Sequence, residues 1–427
     1  MNTNELIKAL KEGAIDARLV ALYGKEALTA QRARYESALT KFCATYGEQE
    51  NVRLLSVAGR SELSGNHTDH NLGCVIAASV DLDIIAVAAP TSDTVVRVTS
   101  EGYPEDVVDI SEFTAPRRAC FSSSASLIAG MCAGLRQNGH RVGGFVAYTT
   151  STVLKGSGLS SSAAFEVMIG NVQNHLFNNG EIENVELAKI AQYAENEFFG
   201  KPCGLMDQLA CAVGGIITVD FKDPKDPLIE QIDFDLTAAG YHLCIVNTGG
   251  NHADLTPDYA AIPAEMRAVA TALGKTVLRE ADEDAVMAAI PTLRNKVGDR
   301  AILRALHFFA ENRRVRVQAK ALSRGALDKF FENVRESGRS SFCYLQNVYT
   351  VKNVAEQGLS LALCLAERYL ADKSAAWRVH GGGFAGTVQA YVSREETENF
   401  KRHMEAAFGK GACMVLRIRP EGATVVY

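Results

Sequence analysis

Long apolar runs are missing from this chain. Its most hydrophobic early stretch, residues 74–90, is broken by Asp81 and Asp83, and nothing approaches the roughly 20 apolar residues of a membrane-spanning helix. The opening segment MNTNELIKALKEGAID has no apolar core of signal-peptide length. An excess of positive charge is missing too. The formal net charge is -6, so a nucleic-acid backbone would meet no matching basic surface. The ten cysteines include no CxxC pair and no cluster with histidine at zinc spacing. They read as reduced, mostly buried small side chains of a cytoplasmic protein. The phosphate-loop pattern GxxxxGKS/T, internal repeats and low-complexity segments are all absent. These absences leave a cytoplasmic globular protein that engages neither membranes nor nucleic acid.

What is present divides into two patterns. A length of 427 residues calls for two or three domains. Residues 1–45 have helical spacing, with Leu6 and Leu10 and then Tyr35, Leu39 and Phe42. From Val52 the chain changes to short β-branched runs, VRLLSVAG, CVIAASV, DIIAVAA and TVVRVTS, punctuated by Asp, Gly and Pro. Helices are predicted over 123–137, 161–177 and 185–199, and a strand over GGFVAYTT. Another strand, HLCIVNT, begins near Tyr241. Helical spacing then dominates 262–370, and the strand-like TVQAYV and CMVLRIRP follow. The prediction is an α+β protein of two domains, 1–240 and 241–427.

Between a predicted strand and a predicted helix lies Lys155-Gly-Ser-Gly-Leu-Ser-Ser-Ser-Ala-Ala164. Gly156 and Gly158 let the backbone approach an oxyanion and turn N–H groups toward it. Ser160, Ser161 and Ser162 add hydroxyl donors where the helix dipole favours negative charge. The run suits a triphosphate, and Ser162 could reach a Mg²⁺ ion. A Ser-capped helix after a plain turn is the other reading. A dinucleotide fingerprint fits poorly, because several strands precede the loop and such a motif usually follows the first.

Two further segments concentrate polar chemistry. Gly59-Arg-Ser-Glu-Leu-Ser-Gly-Asn-His-Thr-Asp-His-Asn71 cannot build a core. It is either a solvated loop or a polyol site in which Asn, His and Asp hydrogen-bond hydroxyls in both directions. Lys201-Pro-Cys-Gly-Leu-Met-Asp-Gln208 is a rigid turn. It either aims Asp207 into a cleft or places it as a helix cap. Glu195, twelve residues earlier on the preceding helix, reads on its own as part of a solvated helix face.

Taken together, these segments resemble the galactokinase branch of the GHMP kinases. GRSELSGNHTDHN is similar to the family sugar-loop pattern GRxNLIGEHTDYN, and KGSGLSSSAAFEV to its phosphate loop. CGLMDQ is similar to CGIMDQ, and HGGGFAG to the third motif, GGGFGG. The four occur in family order over residues 59–386. The resemblance implies a mixed N-terminal domain, a ferredoxin-like C-terminal domain and an active site between them. It implies a kinase moving the γ-phosphoryl of ATP to a sugar hydroxyl with Mg²⁺. Asp207 would take the hydroxyl proton, with Arg60 holding it ionised. Asn66, His67, Asp69, Gly204 and Tyr259 would contact the sugar. Gly156, Ser157, Gly158, Leu159, Ser160, Ser161 and Ser162 would cradle the nucleotide, with Ser162 and Glu195 on the Mg²⁺.

The chain departs from the pattern at Asn66, where the family has a glutamate that hydrogen-bonds the sugar's 6-hydroxyl. An amide can still serve galactose, whereas loss of the negative charge would also admit a C6 carboxylate. Ala58 and Ala385 replace motif Pro and Gly. The only tryptophan, Trp377, lies far along the chain from residues 120–125, where an adenine stack is expected.

Overall fold

The computed structural model describes residues 1–112, 115–116, 122–153, 160–201, 203–250 and 255–427. Three helices open the chain: α1 (Thr3–Lys11), α2 (Asp16–Tyr23) and α3 (Leu28–Tyr46). Asn2 caps α1 in a reciprocal box with Glu5, which satisfies two otherwise orphaned N–H groups. The predicted spacing of Leu6, Leu10, Tyr35, Leu39 and Phe42 is the buried face of this layer.

The layer packs on an eight-stranded sheet. Its strands are β1 (Arg53–Ser64), β2 (Cys74–Pro90), β3 (Val95–Ser100), β4 (Asp106–Asp109), β5 (Phe145–Ser151), β6 (Ile216–Asp220) and β7 (Leu228–Ile232), with one more from the far end of the chain. Long β2 explains why residues 74–90 are apolar without crossing a membrane. Alternate residues serve opposite cores: Ile84, Ala86 and Ala88 face one, while Ile85, Val87 and Ala89 face the helices α1–α3. A strand covered on both faces reads as a continuous hydrophobic run. Its interruption at Asp83 is a buried ion pair with Arg34 and with Arg419, the latter at 3.1 Å. The second face is covered by α4 (Ser124–Gln137), α5 (Ser161–Phe177), α6 (Asn184–Tyr193) and α7 (Met206–Val213).

The helix predicted over 185–199 changes character part-way. After Tyr193 one π-helical turn, Ala194–Phe199, follows, a distortion that recurs at functional sites.

The second sheet is antiparallel, ordered β11-β8-β10-β9. It is built from β8 (Tyr241–Asn247), β9 (Ala376–His380), β10 (Thr387–Ser393) and β11 (Cys413–Leu416), with α13 (Thr397–Phe408) before the last strand. That order is ferredoxin-like. Its first crossover is enlarged by α8 (Thr256–Ala272), α9 (Glu283–Val297), α10 (Asp299–Ser323), α11 (Leu327–Ser340) and α12 (Gly358–Leu370). The final strand β12 (Ala423–Val425) returns to the first sheet and pairs with β1. Among the described residues no helix is long and apolar enough to cross a membrane, and nine cysteines are free thiols.

A buried charge network joins the two sheets. Arg378 of β9 reaches Glu62 of β1 at 3.0 Å and Glu311 of α10 at 3.8 Å. Glu311 also accepts from the Gly65 and Asn66 N–H groups and from Ser337, so it fixes the turn after β1. Burial opposes ionisation of Glu311, but Arg314, His307 and Arg378 outweigh it and hold its pKa at about 2. Because the folded value lies below the unfolded one, the stabilisation is complete above about pH 4.5 and is lost as pH falls toward 2. Glu311→Gln is expected to cost about 3–5 kcal/mol at neutral pH. In urea unfolding, the gap to wild type should narrow between pH 5 and 3. A gap independent of pH would show that shape, not charge, carries the contribution.

Candidate active site

Arg60 on β1 and Asp207 in the first turn of α7 meet at the floor of the cleft. Arg60 donates from Nε to Oδ1 at 2.7 Å and from Nη2 to Oδ2 at 2.9 Å, a two-pronged pair that fixes the carboxylate plane. Ser160, just before α5, also donates to Oδ2. Removal from water would push Asp207 up, but the Arg60 charge and the bonds from Arg60 and Ser160 hold it below the ordinary carboxylate range. The carboxylate is therefore ionised at neutral pH and open to the cleft, with its side chain 32% exposed.

Above the pair is a cavity of about 340 Å³, lined among others by Glu62, His67, Asp69, Gly204, Tyr259 and Gly382. That is the scale of a site for one small molecule. His67 sits at φ 60° and donates from Nε2 to the Gly382 carbonyl at 2.8 Å. Burial pushes its pKa down to about 4, so the ring is neutral and its Nδ1 is an acceptor. The Asp69 Oδ1 accepts from the His70 N–H, and Tyr259 donates to the Gly383 carbonyl at 2.6 Å. The wall is thus rich in fixed donors and acceptors, as a polyol requires. A larger groove of about 1030 Å³ lies between α11 and α12, but it contains none of these groups.

The helix α5 points its N-terminus toward the same cleft. Ser162 donates to Glu195 Oε1 at 3.3 Å, and Lys201 pairs with that oxygen at 3.0 Å. Gln208 bridges Glu195, at 2.8 Å, to the buried Glu166, at 3.2 Å. Burial and the neighbouring Glu195 push Glu166 up to about 9, so it is neutral at physiological pH. Among the described residues no cluster of three or more His, Cys, Asp or Glu side chains could hold a metal. Gly156, Ser157, Gly158 and Leu159, predicted to cradle phosphate, lie outside the described residues, as do residues 120 and 121 of the expected adenine region.

Sequence comparison adds to this geometry. The profile of the GHMP kinases N terminal domain matches residues 127–215, and the galactokinase galactose-binding signature matches 40–90. The galactokinase of Lactobacillus helveticus is 30% identical over 376 residues, covering 86% of this chain and 92% of that one. For the galactokinase of Streptomyces coelicolor the figures are 30% over 388 residues, 88% and 94%. The chain belongs to the galactokinase family. The human galactokinase is 29% identical over 380 residues. The structure of Lactococcus lactis galactokinase complexed with galactose superimposes with a TM-score of 0.76 at 26% identity, covering 91% of this chain and 99% of that one. A mevalonate kinase at 15% identity and TM-score 0.59 shares the fold, which is the two-domain α+β fold of GHMP kinases.

The structure places Asn66 differently from the other sugar-loop residues. It is fully buried behind the wall, and its amide is saturated. It donates to Glu62 at 3.1 Å and to the Gly381 carbonyl at 2.7 Å. Its oxygen accepts from Ser341 at 3.2 Å and Asn347 at 2.8 Å. Glu62, which lines the cavity, was missed in the sequence although a signal was there. Against GRxNLIGEHTDYN, the chain's GRSELSGNHTDHN has its amide and acid exchanged. The carboxyl group thought lost at Asn66 is thus kept by Glu62, 3.1 Å away, where burial raises its pKa above the ordinary carboxylate value.

Gly204 has no room for a side chain: a Cβ there would sit 2.7 Å from Asp69 Oδ2. Gly204→Ala is expected to displace the Asp69 carboxylate and raise KM for sugar about tenfold, leaving kcat within a few-fold, because it removes uniform binding. Steady-state kinetics with a circular-dichroism melt to check folding would measure this. An unchanged KM would remove Asp69 from the sugar site.

Proposed function

We propose that this protein is an ATP-dependent galactokinase that transfers the γ-phosphoryl group of ATP to the anomeric hydroxyl of galactose, giving galactose 1-phosphate and ADP. The observation that carries the reading is the Arg60–Asp207 pair, opening into a small polar cavity beside the N-terminus of α5. The chain acts as two lobes, 1–240 and 241–427 apart from the closing strand Ala423–Val425, which belongs to the first, with the sugar between them, and works in the cytoplasm, where ATP is plentiful and thiols stay reduced.

In this reading His67, Asp69, Gly204 and Tyr259 hold the sugar so that its reactive hydroxyl faces Asp207. The hydroxyl oxygen attacks the γ-phosphorus in line. The bond to the bridging oxygen breaks, its electron pair leaves with ADP, and the hydroxyl proton passes to Asp207. Because phosphoryl transfer has a loose transition state, a weakly basic aspartate suffices: its tasks are orientation and late proton acceptance. Arg60 keeps it ionised and offsets charge on the moving phosphoryl group. The α5 N-terminus and the 156–162 loop hold the phosphates.

Ser162 and Glu195 supply hydroxyl and carboxylate oxygens side by side, a donor set that suits Mg²⁺, which takes few protein ligands and completes its shell with water and phosphate. The ion would offset triphosphate charge there. Galactose is favoured over a uronic acid because Glu62 keeps an acid on the wall and shares Arg378 with Glu311.

An ADP-release assay with Mg·ATP against galactose, galacturonate, N-acetylgalactosamine, glucose and arabinose tests the reading. Turnover is expected on galactose, and silence on every sugar would overturn it. Asp207→Asn is expected to lower kcat by about 10²–10⁴ with sugar KM nearly unchanged. Near-normal turnover would refute its role as base.

A further inference from the structure

Glu62 follows Arg60 by two positions in β1, within the unbroken register Arg60↔Ser79, Ser61↔Ala78, Glu62↔Ala77. Side chains two apart in a strand share a face, roughly 7 Å apart along it, and both residues line the same cavity. Arg60 marks the reacting end through Asp207, so Glu62 stands about one pyranose ring away from the chemistry.

Its own bonding is one-sided. Oε1 receives the Asn66 amide at 3.1 Å and Arg378 Nη2 at 3.0 Å, and Arg378 is itself fully buried. Among the described residues no group donates to Oε2, although Glu62 is only 5% exposed. With one oxygen anchored, the other opens onto the cavity and takes its polar partner from there. Oε1 already takes two N–H donors, so a proton on this carboxyl would reside on Oε2. A sugar hydroxyl can donate or accept, and it satisfies Oε2 in either state.

We propose that Glu62 is a specificity-determining residue whose Oε2 hydrogen-bonds a hydroxyl at the end of the sugar remote from the phosphorylated one, with Asn66 and Arg378 holding it there. The proposal rests on the sugar-kinase reading. It assigns to an acid on β1 the recognition that the loop residue Asn66, saturated by the protein, does not perform.

The test compares galactose with 6-deoxygalactose and 4-deoxygalactose, using the full-length enzyme and Mg·ATP. Glu62→Ala is expected to lower kcat/KM for galactose about 10–100-fold, mainly through KM, since that is the scale of one desolvated hydrogen bond to substrate. For the deoxysugar lacking the contacted hydroxyl, the same substitution should change kcat/KM less than about twofold. That sugar also reports whether the variant's catalytic centre is intact. Equal losses on all three sugars, or no loss on any, overturn the proposal. The exchange variant, Glu62→Asn with Asn66→Glu, returns an acid to the pair and is expected to recover preference for galactose over that deoxysugar. A double variant no better than the worse single one also counts against it. If the wild-type enzyme turns over none of these sugars, the kinase reading fails. Calorimetric titration of the same sugars into wild type and Glu62→Ala still decides the role of Glu62.

Discussion

Arg378 is wholly buried, and its guanidinium is where the two sheets are held together. A charge out of water is costly unless paired and fully hydrogen-bonded. This one is met by Glu62 from the first sheet, Glu311 from α10 and the Val379 carbonyl of its own strand. The ferredoxin-like sheet can dock in only one position that satisfies all of them. That position sets the cleft, because Glu62 is also a wall of the cavity and Glu311 anchors the turn that presents His67 and Asp69.

The same logic of paired charge organises the rest of the site. Arg60 and Asp207 come from a strand and a helix 147 residues apart, and each makes the other's burial tolerable. Glu166 and Glu195 settle their proximity in the opposite way, by leaving a proton on one of them while Gln208 bonds both. The π-helical turn supplies Glu195 to that group. It then lets the chain reverse toward Lys201, which pairs with the same carboxylate. One cleft thus holds the ionised Asp207 and, beside the α5 N-terminus, a second acid, Glu195.

The two ends of the cavity have distinct characters. Around Asp207 the groups are charged and convergent, as charge movement in phosphoryl transfer requires. Around Glu62, His67 and Tyr259 they are mostly neutral or internally compensated and spread along a wall, as recognition of several hydroxyls requires. His67 is neutral because it is buried, and its bond to Gly382 leaves its second nitrogen as an acceptor. Gly382 in turn cannot carry a side chain, since a Cβ there would lie 2.4 Å from the Tyr259 ring. The late glycine motif therefore shapes the cavity wall from the second sheet.

Much of this was legible in the sequence, because local chemistry leaves local signals. The apolar runs CVIAASV and DIIAVAA signal strand, though only the structure joins them into one, β2; the serines before Ala163 signal the start of α5 at Ser161, and four ordered motifs signal the family. Three features needed the tertiary structure. The returning strand β12 depends on a partner some 370 residues away, which no short-range pattern encodes. The π-helical turn interrupts a helix whose spacing reads as continuous, and it packs against α4 where Gly130 leaves room for Ala194, a long-range contact that local spacing does not encode. The roles of Glu62 and Asn66 were decided by which of two nearby polar groups the fold left with an unmatched oxygen. Composition and motif order determine that these residues are polar and close in sequence, whereas only the tertiary structure, with Arg378 arriving from the second sheet, decides which of them faces the cavity.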